Sequence, residues 1–301
     1  MKGEMKQIFL SVLFAAIAAF SVRGAGNELF PYPVPPEEMT TLNERCDYLV
    51  SHFWERCDLK AAQSTKERLH NCFGDWVSFM PYAHADTVHS TINRILNNNR
   101  KKGQIILALA RMAEAWTYSD TTSIFSEEIY YPFAKAAAEC KKIDKVDRMR
   151  YAMHAQIIEN SKLGGTMKYL EYEKPDGSNG SIADVRTQMI VVLFSNDDCD
   201  ECALARVRLS ANLDANALIK AGLLTVMYIE TTGPTDSWKA AASSYPENWV
   251  IGAMSDADEY FRLDRYPTIY LVDSRHKILA KDFTFDGLLR AISTMRANSG
   301  I

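Results

Sequence analysis

Apolar residues recur at helical spacing through the first half of the chain. Leu42, Tyr48, Leu49 and Phe53 fall on one helix face, and Leu69, Phe73, Trp76, Val77 and Met80 form a second stripe that Pro81 ends. Val88, Ile92, Ile95 and Leu96 mark a helix over residues 84–96, and the pattern continues over 105–116, 132–140 and 146–161. About six helices in succession, with few strand signals between them, predict an all-α bundle. The aromatic residues along these stripes, among them Phe53, Trp54, Trp76, Trp116, Tyr130 and Phe133, are expected mostly in its core. Ahead of the bundle, Pro31-Tyr32-Pro33-Val34-Pro35-Pro36 cannot be helical and is expected to run extended over the surface.

The period changes after Gly164-Gly165. Residues 168–173 alternate and Pro175-Asp176-Gly177 makes a turn, so a leading β-hairpin or strand-loop-strand is expected before the apolar run Met189-Ile190-Val191-Val192-Leu193-Phe194. A helix is predicted from Glu201 to about Ala221, a strand over 223–230, a short helix over 235–244, and a strand over 266–272 that opens at a proline. A last strand over 278–282 and a helix over 285–297 complete an α/β order. The expected architecture is α+β with two domains: an all-α helical bundle over 27–163, then an α/β domain with a leading β-hairpin over 164–301.

The first residues add an address. Lys2 and Lys6 form a basic start, residues 8–20 are an apolar run short for a bilayer span, and Ser21, Gly24, Ala25 and Gly26 are small. This pattern reads as a signal peptide over residues 1–26, with an uncleaved anchor as the alternative, and places the mature chain in an oxidising, periplasmic space. Of the 301 residues, 47% are apolar and 24% charged, which is the composition of a folded protein. The formal charge of the full chain is −4, and residues 1–26 carry Lys2, Lys6 and Arg23 against Glu4, so the remainder is more acidic still. That balance argues against nucleic acid or an anionic membrane surface as a partner, and no later apolar run reaches a transmembrane length.

The chemistry concentrates at Cys199-Asp200-Glu201-Cys202, where the apolar run of 189–194 gives way to an amphipathic stretch. A strand that delivers two cysteines to the first turn of a helix sets Cys199 beside unpaired backbone N–H groups and the positive end of the helix dipole, which favours thiolate over thiol. Cys202, one turn along, is spaced to resolve a mixed disulfide formed at Cys199. A zinc site is the competing reading of such a pair. The other cysteines, Cys46, Cys57, Cys72 and Cys140, form no second CxxC, and no histidine is spaced to complete a tetrahedral set. Two inert cysteines or a purely structural bridge are the remaining alternatives. No metal or cofactor is implied.

The order of elements, with CxxC at the end of the first central strand and Pro267 opening a later one, resembles the thioredoxin fold. The resemblance implies a cis bond at Tyr266-Pro267 packed beside the cysteine pair, with Tyr266, Pro267 and Thr268 as the client-binding edge. The chain between Cys202 and Pro267 is longer than in a minimal thioredoxin, and over 164–301 the sequence is similar to the TlpA/ResA-like exported thioredoxins of Bacteroidetes. The segments Arg45 to Trp54 and Ser126 to Phe133 resemble the helical domain of unknown function that often precedes such folds. Likeness to this group implies a periplasmic thiol–disulfide oxidoreductase, with Cys199 as nucleophile and Cys202 as resolving residue. Its partners are client proteins carrying disulfides or thiols and a membrane or periplasmic thiol electron donor.

The departures from thioredoxin carry information. Asp198 stands in place of tryptophan, Asp200-Glu201 in place of Gly-Pro, and Leu193 in place of the buried aspartate that moves the resolving cysteine's proton. Acidic side chains around Cys199 oppose its ionisation, so the pair is expected to be reducing in character. Glu230, at the end of its strand, reads either as a solvated carboxylate or as a replacement proton relay of the ResA-like kind. A non-catalytic client-binding scaffold is the alternative function, and Leu193 and the acidic loop favour it. A thiol peroxidase is a third, weakened by the missing Pro and Thr of that family's motif ahead of Cys199. Cys46 and Cys57 are too far apart along one helix to bridge. Bridges between Cys57 and Cys72 or between Cys46 and Cys140 stay open beside buried thiols, and His84 and His89 read as surface residues.

Overall fold

The computed structural model describes residues 29–301 except 120, 282 and 283, so the expected signal peptide lies outside the described residues. The chain divides into two compact units between Asp144 and Lys145.

In the first unit, helices α1 (Leu42–His52), α2 (Leu59–Ala62), α3 (Lys66–Phe79), α4 (Ala85–Asn99), α5 (Gly103–Thr117) and α6 (Glu127–Glu139) succeed one another. Thr41 closes a capping box with Glu44 at the start of α1. The rings of Phe53, Trp54, Phe73, Trp76 and Phe133 pack edge to face at 5.1–6.5 Å, and Trp76 donates its indole N–H to the Val50 carbonyl at 3.1 Å. Phe30, just ahead of the proline-rich entry, is buried against Phe53 and Trp54. Helix α6 begins five residues earlier than the pattern predicts, because the Ser126 hydroxyl accepts from Ile129 N–H and Glu127 and Glu128 sit in the first turn. Pro132 therefore lies inside the helix instead of opening it.

The second unit begins with α7 (Lys145–Ser161), whose pattern groups it with the preceding helices but which packs on α11 (Ala257–Tyr260). It continues with β1 (Glu171–Glu173), β2 (Asn179–Ser181), β3 (Met189–Ser195), α8 (Asp200–Ser210), α9 (Leu213–Lys220), β4 (Leu224–Glu230), α10 (Asp236–Ala241) and β5 (Val250–Ala253). After α11 come β6 (Thr268–Asp273), β7 (Ile278–Lys281) and α12 (Phe285–Ser299). The expected hairpin forms, with Gly177 in its turn at φ 82°. The expected single helix over 201–221 is two. Asn212 breaks it, its side chain accepting from Ala215 N–H to cap α9.

The seven strands run in the order β2-β1-β5-β4-β3-β6-β7. β3, β4 and β5 are parallel, and β6 returns antiparallel to β3 with Phe194 opposite Thr268. β3 is central and buried on both faces, which is why it reads as an unbroken apolar run instead of alternating. Val191 and Leu193 face α8, α9 and α12 through Leu209, Leu218, Leu288 and Ile292. Ile190, Val192 and Phe194 face Met167, Leu170, Tyr172, Phe261 and Tyr270.

The Tyr172 ring lies across two glycines: a Cβ on Gly252 would stand 2.2 Å from Tyr172 Cδ2, and one on Gly180 2.6 Å from its Cε2. Gly252→Ala is therefore expected to lower stability by about 1–3 kcal/mol, read as a reduced urea midpoint with an unchanged denaturant slope.

Candidate active site

Because β3 ends at Ser195, the loop of residues 196–199 brings Cys199 to the N-cap of α8. Cys199 has extended backbone angles, its carbonyl accepts from Cys202 N–H and Ala203 N–H at 3.1 Å, and its Sγ lies 3.0 Å from the Cys202 nitrogen. The sulfur thus occupies the place a serine or aspartate oxygen takes at an ordinary helix start, where free N–H groups favour negative charge. Cys199 and Cys202 are joined as a disulfide with Cα atoms 5.2 Å apart. Cys199 is half-buried, while Cys202 is 1% exposed. The two sulfurs are unequal: one meets solvent and the other is enclosed. Asp197, Asp198, Asp200 and Glu201 are exposed around them.

The Tyr266-Pro267 peptide is cis. Pro267 immediately precedes β6, whose first residue pairs with the penultimate residue of β3, so it sits at the same end of the sheet as the cysteines. An open groove of about 380 Å³ runs there between Glu201, Leu204 and Ala205 of α8, Tyr266 and Pro267, and Phe285 of α12. Leu204 on its wall is 58% exposed, an apolar side chain presented to the groove. The Tyr266 hydroxyl lies 3.0 Å from Thr231 Oγ1, and Thr231 in turn donates from N–H and Oγ1 to the Ser195 carbonyl at 2.8 and 2.9 Å. Thr268 is buried, its hydroxyl donating to the Arg265 carbonyl, so its side chain is turned away from the groove.

Leu193 is fully buried, so no carboxyl stands at that point of β3. Glu230 ends β4 opposite Ser195 and is 2% exposed, which overturns the solvated reading. Its Oε1 accepts from Thr231 N–H, Thr232 N–H and the Thr232 hydroxyl at 2.9–3.2 Å. Burial pushes its carboxyl above the ordinary value, more than those hydrogen bonds pull it down. A residue the periodicity does not single out is Tyr228, on the α8 side of β4. Its hydroxyl donates to Ser195 Oγ at 2.9 Å and approaches the Cys202 carbonyl at 3.4 Å. The only hint in the sequence is a phenol set among aliphatic residues in a buried strand, where its hydroxyl needs a partner.

The other four cysteines are free thiols, so neither the Cys57–Cys72 nor the Cys46–Cys140 bridge is formed. Burial raises the Cys46 thiol to about 11 and the Cys57 thiol to about 12, which keeps both protonated and unreactive. Tyr32 sets its hydroxyl 3.2 Å from Cys72 Sγ and 2.8 Å from Asp75 Oδ2. His84 and His89 lie at the surface against Asp47 and Glu128.

A mixed sheet with a half-buried cysteine at a helix start, its enclosed partner one turn on, and a cis proline at the same strand ends defines a thioredoxin-like domain. Comparison with solved structures agrees on the fold. A thioredoxin-like protein from Bacteroides caccae superposes with a TM-score of 0.69 over 89% of this chain and 99% of its own, at 19% identity. The thioredoxin domain of a thiol-disulfide oxidoreductase from Bacteroides vulgatus matches 44% of this chain and 96% of its own with a TM-score of 0.39 and 22% identity. A thiol:disulfide interchange protein from a Bacteroides species matches 46% and 91%, with a TM-score of 0.39 and 22% identity. Residues 12–161 match the family model described as a domain of unknown function, DUF5106. The chain is thus a thioredoxin-fold protein with an N-terminal DUF5106 domain. No curated protein matches it.

The buried Glu230 gives the fold a pH signature. With its carboxyl held above 4.5 in the folded chain, the folded state keeps a proton that the unfolded chain releases, so stability falls as pH rises from about 4.5 through the folded value. Glu230→Gln retains an acceptor oxygen for the Thr231 and Thr232 donors and removes the titration. Its urea midpoint is expected to exceed that of the wild type near neutrality, with the difference closing below about pH 4.5.

Proposed function

We propose that the chain is a periplasmic thiol–disulfide oxidoreductase that works as a reductase, with Cys199 as nucleophile and Cys202 as resolving residue. The observation that carries this reading is the placement of a half-buried Cys199 as N-cap of α8 with Cys202 enclosed behind it.

In the reduced pair, the Cys199 thiolate attacks one sulfur of a client disulfide and the other client sulfur leaves as a thiolate. Cys202, deprotonated, then attacks Cys199 Sγ. The Cys199–Cys202 bond forms, the bond between Cys199 and the client breaks, and two electrons have passed from the pair to the client, whose sulfurs take up the two protons the pair gave. A dithiol donor protein of the membrane or periplasm returns the pair to its reduced form. Pro267 and the backbone of Tyr266 shape the groove against which an extended client lies, and Leu204 offers it an apolar contact. Glu230 acts as acid and base for the exchange through its raised carboxyl. The reducing character follows from Asp197, Asp198, Asp200 and Glu201, whose charges oppose the Cys199 thiolate and so favour the disulfide.

Export is supported by the basic and apolar start of the chain and by the small residues after it. Among the described residues no helix is long and apolar enough to cross a membrane.

Cys202→Ala is expected to trap clients on Cys199 as adducts seen on a non-reducing gel and released by dithiothreitol, and the Cys199→Ala, Cys202→Ala double variant to show none. A scaffold that binds clients without exchanging electrons gives no adduct in either, and peroxide consumption that depends on Cys199 points instead to a peroxidase.

A further inference from the structure

We propose that a pocket in the helical domain, beside the turn from α1 to α2, binds a small organic dianion, a dicarboxylate or a phosphate ester, through Lys60, Arg94, Lys102 and the indole N–H of Trp54.

The chain leaves α1 at His52 and turns through Trp54 and Cys57 to Asp58, the cap of the four-residue helix α2. Between this turn and α4 lies a pocket of about 380 Å³, every lining residue of which belongs to the first unit. That volume falls in the range that holds small molecules. Residues 94, 95, 98 and 99 line it at the three- and four-residue spacing of one helix face, and Lys102, the cap residue of α5, continues the wall. The buried Ile95 and Ile105 give the wall an apolar part, suited to a carbon skeleton.

The pocket holds more donors than acceptors. Arg94 donates from Nη2 to the Ser51 carbonyl, Lys102 donates to Asn99 Oδ1 at 3.1 Å, and the Lys60 ammonium has no partner among the described residues. None of the three cations therefore meets a carboxylate. The two acids on the same wall are engaged elsewhere: Asp58 Oδ1 accepts from the N–H groups of Lys60 and Ala61 at 2.9 and 3.2 Å, and Glu55 Oε1 lies 2.7 Å from His52 Nδ1. Cys57 also lines the pocket, and its thiol, pushed up to about 12 by burial, adds no negative charge. Asn99, only 7% exposed, donates from Nδ2 to the Ile95 carbonyl at 2.9 Å while its oxygen holds Lys102, so this cation is set in place by a buried amide.

Trp54 is the independent sign of a ligand. The first unit has three tryptophans; Trp76 gives its indole N–H to the Val50 carbonyl and Trp116 to the His70 carbonyl, at 3.1 and 3.0 Å. Trp54 is 9% exposed, lines the pocket, and its N–H is buried with no acceptor among the described residues. A buried donor left without a partner is costly, and a ligand oxygen supplies the missing acceptor. Unneutralised cations from α2, α4 and the start of α5, together with a spare N–H, suit a ligand rich in acceptor oxygens that carries more than one negative charge.

The test is isothermal titration calorimetry of the full chain with succinate, with glycerol 3-phosphate, and with glycerol as the neutral control. Saturable binding of either anion, and none of glycerol, is expected; the tighter of the two tells a dicarboxylate ligand from a phosphate ester. Lys60→Gln, Arg94→Gln and Trp54→Phe, which keeps the ring and loses the N–H, should each weaken that binding about tenfold. Lys101→Gln, which removes an exposed cation that does not line the pocket, should leave it unchanged. Binding of neither anion up to about 10 mM, binding of glycerol as tight as that of its phosphate, or an affinity as high in Lys60→Gln and Arg94→Gln as in Lys101→Gln overturns the proposal. Lys60 and Arg94 are exposed side chains, so their variants decide the matter if Trp54→Phe does not fold.

Discussion

The structure depends on where a fully buried strand hands the chain to a helix. Apolar packing on both faces of β3 fixes its register, because a slip of one residue would exchange Val191 and Leu193 with Ile190 and Val192 and misplace every contact on both sides. That fixed register sets the position of Ser195, and a four-residue loop later Cys199 becomes the cap of α8. The position of the sulfur is thus a property of the core beneath it. Nothing in the immediate loop needs to be rigid in its own right, since strand and helix are both anchored.

Buried polarity in the second unit gathers at the same place. Among its described residues the buried polar side chains are Ser161, Ser195, Glu230 and Thr268, and three of these stand where β3 and β4 end and β6 begins. Each would cost free energy if left without a partner, and each is bonded locally. Together with Thr231 and Tyr266 they tie the loop bearing the cis proline to the strand that leads to the cysteines through hydrogen bonds to and beside Ser195. The two halves of the site, separated by more than sixty residues of sequence, are held in one network. Most of the polar side chains buried in this unit thus stand at the site.

Much of this was legible in the order of residues, and the limits have physical causes. The apolar run of β3 and the cysteines after it announce a strand-helix junction because an unbroken run of β-branched and aliphatic residues suits a strand buried on both faces. The cis proline is legible only through the resemblance to thioredoxin, because proline alone states no isomer. The break at Asn212 was hidden because a helix pattern runs through it, and the capping role of an asparagine appears only once the chain turns there. Pro132 misled in the opposite sense: a serine cap six residues earlier outweighs the breaker. Helix α7 looks like its predecessors in period, and the sequence does not say which unit its apolar face meets. Burial of Glu230 and the reach of Tyr228 are long-range facts, set by which strand lies beside β3, and no local pattern encodes them.

The Tyr172 ring wedged between Gly180 and Gly252 has a consequence for the company the protein keeps. It fastens the β1–β2 hairpin onto β5, which would otherwise be the outermost strand on that side and would offer unpaired backbone groups to any extended chain that met it. With the hairpin in place the sheet finishes instead in a three-residue strand, too short to template another. The sheet edge on that side thus presents little unpaired backbone, and the open groove beside Pro267 lies at the ends of the inner strands instead of on an outer one.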